Sequence, residues 1–101
     1  MNYLDYPKTV DEAVKRLIKA LRLKDRAYIA NLEKKDIHLV SITLGSFIRD
    51  ECGIGVGNRA LIESCRTLSG NDELKAYQAF IFLIEALWKE LRDTHSLRRV
   101  I

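Results

Sequence analysis

Residues 72–93 read DELKAYQAFIFLIEALWKELRD, and this stretch decides the fold. Leu74, Tyr77, Phe80, Ile81, Leu83, Ile84, Leu87, Trp88 and Leu91 recur at helical intervals, so they fall on one broad apolar arc. A strand of this length would alternate between two faces, and this one does not. The spacing therefore predicts a long helix over 72–93, capped by Asn71 or Asp72 after the turn Ser69-Gly70-Asn71-Asp72. Phe82 falls outside the arc, among Gln78, Glu85 and Lys89.

Moving toward the N-terminus, Leu61, Cys65 and Leu68 mark the inner face of a helix over 58–68, with Asn58 as its N-cap. Before it lies Cys52-Gly53-Ile54-Gly55-Val56-Gly57-Asn58, where Gly53 suits a left-handed helix end. Residues 36–51 carry apolar residues on two sides. Ile37, Val40, Leu44, Phe47 and Ile48 form one face, and Leu39 and Ile42 lie on the reverse. A helix of that kind is expected between neighbours, so 36–51 is read as the central helix with Leu44 and Ile48 in the core. A shorter helix over 24–33 places Ala27, Tyr28 and Leu32 inward, and Lys34-Lys35 ends it. The first helix, 9–22, opens on Thr9-Val10-Asp11-Glu12, a capping box in which the two side chains satisfy each other's backbone N–H groups.

Five helices with short connections imply an all-α, compact bundle formed by residues 1–101 as a single domain, with 1–7 and 94–101 fraying. The chain has 101 residues, 48% apolar and 31% charged, which is enough for one core and not for two. The N-terminus has acids at Asp5 and Asp11 and no long apolar run, so neither a secretory signal nor a membrane span is expected. Cys52 and Cys65 are read as ordinary thiols of a cytoplasmic protein.

Three stretches, Thr9-Val10-Asp11-Glu12-Ala13, Leu44 through Ile54 and Asn58-Arg59-Ala60-Leu61, occur in this order, followed by Leu68 to Leu74 and Ala86-Leu87-Trp88 with Leu91. In this the chain resembles a family of small bacterial proteins described only as a domain of unknown function, whose hallmark is a Gly-x-x-Ile-Arg-Asn core. The resemblance spans most of residues 7–91. It implies a helical fold and a bacterial cytoplasmic setting, and no activity. Asp50 departs from the family's asparagine, and Gly55 stands where an aromatic is common.

Four features offer chemistry. The Gly53–Asn58 loop, flanked by Arg49, Asp50 and Arg59, is a candidate anion or polar site, because glycines bare backbone N–H groups and a helix N-terminus attracts negative charge. It matches neither the phosphate-binding loop nor the dinucleotide fingerprint, and the favoured reading is a plain connector that uses glycine for positive φ. Lys15, Lys19 and Arg22 form a basic stripe that phosphates could meet. The net charge is +3 with the excess in residues 1–35, where nine Lys/Arg face five acids. His38 and His95 lack partners at metal-ligand spacing, so neither a metal nor a cofactor is expected. Phe82, Trp88 and Tyr77 on the long helix are candidate interface residues, since an aromatic on a polar face marks a contact surface. The favoured reading is a non-enzymatic helical domain that binds another protein or itself. The alternative is weak, sequence-independent nucleic-acid binding through the basic face of helices 1 and 2.

Overall fold

The computed structural model describes residues 5–95. Among them helices are the only regular secondary structure: α1 Val10–Ala20, α2 Leu23–Ala30, α3 Leu39–Thr43, α4 Gly45–Cys52, α5 Arg59–Ser69 and α6 Ala76–His95. Short 3₁₀ turns at Lys34–Asp36 and Ile54–Val56 join the second to the third helix and the fourth to the fifth. The chain is an all-α bundle, as its periodicity predicts.

Helix α6 is the axis of the core and packs against α1, α2 and α5. Its Ala79, Phe80, Leu83, Ile84, Leu87, Trp88 and Leu91 are buried together with Val10, Ala13, Val14, Leu17 and Leu21 from the first helix. The start of α1 is fixed twice. The Glu12 N–H donates to Thr9 Oγ1 at 3.1 Å, as a cap requires. The Val10 N–H, one of the orphan donors of the first turn, reaches Ser64 Oγ of α5 at 3.0 Å. The Glu12 carboxylate accepts from Lys8 N–H at 3.1 Å and not from Thr9, so only half of the expected capping box forms.

The predicted central helix is two helices. Leu44 sits at φ −125°, ψ 8°, outside the helical region, and the chain turns there between α3 and α4. Its neighbours favour a break. Ser41 Oγ donates to His38 O at 2.7 Å and Thr43 Oγ1 to Leu39 O at 3.0 Å, bonds that compete with the helical ladder. The break resets the phase of the apolar pattern. Ile48 and Cys52 point into the core, Leu44 is half-buried, Phe47 is exposed and Ile42 is 73% exposed.

Other expectations shift by a turn or less. On α2 the buried pair is Ile29 and Ala30, while Tyr28 is exposed. Helix α2 ends at Asn31, whose Nδ2 donates to Ala27 O at 2.8 Å. Leu68, expected inside, is 62% exposed at the end of α5. Helix α6 begins at Ala76 because Asn71 closes a local turn instead of capping a helix, its Oδ1 accepting from Glu73 N–H at 3.0 Å. Residues 5–7 are not frayed: Pro7 is buried and Tyr6 half-buried. Residues 1–4 and 96–101 lie outside the described residues, as does the side chain of His95.

Candidate protein-interaction site

The apolar arc of α6 is wider than its neighbours cover. Tyr77 and Ile81 lie on its edge, 66% and 45% exposed, and stand one turn apart on the same side of the helix. Of the three residues predicted for an interface, only Tyr77 is at the surface. Trp88 is 7% exposed, and its Nε1–H donates to Leu32 O at 2.8 Å, which secures the end of α2 to α6. The Arg92 guanidinium covers that ring at 5.0 Å. Phe82 is half-buried against the core, because a neighbour covers the side of the helix that looks polar in sequence. Ile81 is the residue the periodicity misplaced. It belongs to the arc in sequence, and only the packing shows that nearly half of it stays open.

The glycine loop is built for geometry. Gly53 has φ 69° and Gly57 φ 78°, the left-handed conformation that glycine adopts most readily. Asn58 uses its whole amide locally. Its Oδ1 accepts from Leu61 N–H at 3.4 Å, and its Nδ2 donates to Pro7 O at 2.7 Å and Cys52 O at 2.8 Å. It is a cap and a staple, and has no donor left for an anion. Tyr6 and Val56 line two small clefts on the loop. One, of about 280 Å³, also meets Lys8, Asn58 and Arg59; the other, of about 140 Å³, meets Arg49, Asp50 and Gly53. The four residues predicted for a polar site are thus divided between two clefts. Arg49 is further engaged over the Phe80 ring at 4.9 Å. In the Gly45-x-x-Ile48-Arg49 motif the glycine faces that guanidinium with room for ordinary van der Waals contact. Gly45 and Ile48 are buried, and a Cβ on Gly45 would lie 3.4 Å from the Arg49 guanidinium.

The basic stripe, which runs from α1 to the start of α2, has acids beside it. Lys15 pairs with Asp11 at 3.0 Å and Arg22 with Asp25 at 3.3 Å, and Lys19 is exposed between them. Among the described residues no three His, Cys, Asp or Glu side chains converge as a metal site. His38 is exposed, with Nδ1 at 3.1 Å from Lys35 O. Cys52 and Cys65 are free and buried. Burial pushes the Cys52 thiol up to about 12, with Arg16 opposing and Glu51 adding to the shift, and pushes Cys65 up to about 11. The thiolate is the nucleophilic form, so both groups are held in the unreactive state at neutral pH. Among the described residues no helix is long and apolar enough to cross a membrane.

Compared with known proteins, the chain matches no family model, no curated protein and no solved structure.

Proposed function

We propose that this chain is a non-catalytic helical domain that works by binding another protein, or a second copy of itself, along the Tyr77–Ile81 edge of α6. The observation that carries this reading is that pair of large apolar side chains, one turn apart and 66% and 45% exposed on the longest helix. Fully burying a side chain of this size is worth about 1.5–3 kcal/mol, and the exposed part of each supplies a share of that, so two neighbours make a credible centre for a small interface. The candidate interface is therefore Tyr77 and Ile81, while Phe82 is half-buried and Trp88 belongs to the core.

Two further facts support a non-catalytic role. The buried thiols are protonated at neutral pH, and the loop asparagine spends its hydrogen-bonding capacity on the fold. Free cysteines suit a reducing, cytoplasmic compartment, and the resemblance to the bacterial domain of unknown function belongs to the same proposal. Nucleic-acid binding through Lys15, Lys19 and Arg22 gains no support, since two of the three are already paired.

Sedimentation equilibrium of the wild type and of a Tyr77→Ser/Ile81→Ser variant tests self-association. A wild-type dimer that the double variant abolishes, with the melting temperature kept within a few degrees, is the expected result for a homotypic interface. A dimer that the variant leaves intact would place the interface elsewhere.

A further inference from the structure

The N-terminal arm is docked mainly by side chains that lie far from it in sequence. The Tyr6 ring lies on the bare Cα of Gly53, where a Cβ would stand 2.6 Å from Tyr6 Cγ and 2.7 Å from Cε2. The Pro7 carbonyl accepts from Asn58 Nδ2 at 2.7 Å. The Asp5 carbonyl accepts from Arg16, whose Nε is held by Glu51 Oε1 at 3.4 Å. Each receptor group is also held from outside the arm: Gly53 by its left-handed backbone, Asn58 by Leu61 and Cys52, Arg16 by Glu51.

We propose that this slot is a receptor for a short segment in which an aromatic residue precedes proline, bent as Asp5 and Tyr6 are here. It is filled in cis by the chain's own Tyr6–Pro7 and is open to a segment of the same chemistry on a partner protein. The slot reads two side chains and two backbone carbonyls. Asp5 and Lys8 are exposed, so the flanking side chains are unconstrained. Proline fixes its own φ and restricts the residue before it, so such a segment has less ordering entropy to lose than an unrestricted one. The clefts of about 280 Å³ and 140 Å³ that Tyr6 lines give a bulkier aromatic room beside the loop. The own arm acts as a competitor: apparent affinity for a partner segment falls by the fraction of time the slot is empty.

This site is separate from the α6 edge, and its failure leaves the Tyr77–Ile81 reading untouched. The test uses the full chain, isotope-labelled, and an end-blocked peptide of residues 4–7. In the Tyr6→Ala protein, whose arm keeps its carbonyl contacts but leaves the place of the ring empty, the peptide should produce saturable NMR shifts at Gly53 and Asn58. The same peptide should bind wild type about tenfold more weakly or worse, and a peptide with Tyr6→Ala should bind neither. A folded Tyr6→Ala protein that shows no shifts at millimolar peptide would overturn the proposal. So would equal affinity for both proteins, since the arm would then not be the competitor. Wild type gives a second readout that needs no variant. Excess peptide should speed tryptic cleavage after the exposed Lys8, displaced with the arm, and leave cleavage after Lys34 unchanged. Unaltered cleavage at Lys8 would contradict displacement.

Discussion

Gly53 and Gly57 separate two causes that sequence reading merges. Both have positive φ, but a Cβ on Gly57 would meet nothing within 4 Å, whereas one on Gly53 would run into the Tyr6 ring. Gly57→Ala is therefore expected to cost about 1 kcal/mol, the backbone term alone. Gly53→Ala should cost about 2 kcal/mol or more, because overlap with Tyr6 adds to it. Chemical denaturation of both, repeated in a Tyr6→Ala background, isolates the contact. The excess should vanish when the ring is gone, and an excess that persists would place its origin in the backbone. At this scale the cap at Asn58 and the helix end at Gly53 were legible, since both follow from local chemistry. The Asn58 bonds to Pro7 and Cys52 were not, because they depend on where the arm lands.

Helices were legible as periods, and their faces were legible less well. The long arc of α6 is plain in the sequence, yet which of its residues become core depends on how wide a groove α1, α2 and α5 present. Tyr77 and Ile81 fall beyond that groove, and Phe82 falls within it. The break at Leu44 was hidden because residues 36–51 keep an apolar residue at every turn, so the pattern reads through the kink. The break has a measurable consequence. Ile48→Ala, which empties a fully buried site, is expected to cost about 2–5 kcal/mol. Leu44→Ala, at a half-buried hinge, should cost less than about 2 kcal/mol. Equal losses in urea denaturation would mean that α3 and α4 pack as one continuous helix.

The whole molecule carries its two thiols as uncharged core groups. Their folded pKa values, about 12 for Cys52 and about 11 for Cys65, lie above the ordinary value of 9.0, so the unfolded chain releases these protons first. The stability they contribute is complete below pH 9.0 and is lost as pH climbs from there through the folded values. Denaturation at about pH 8 and about pH 10.5 should show a fall in stability that is smaller in a Cys52→Ala/Cys65→Ala protein. An equal fall would assign the loss to other groups.

The bundle closes around α6 and leaves Tyr77 and Ile81 outside, and the proposed function rests on that edge. Site-specific photo-crosslinking in the native cell tests it most directly, with the reactive side chain placed at Tyr77, at Ile81 or at the exposed Glu90 of the same helix. The account predicts one discrete adduct, to a partner or to a second copy, from positions 77 and 81 and none from 90. Adducts of equal yield from all three positions, or from Glu90 alone, would contradict it.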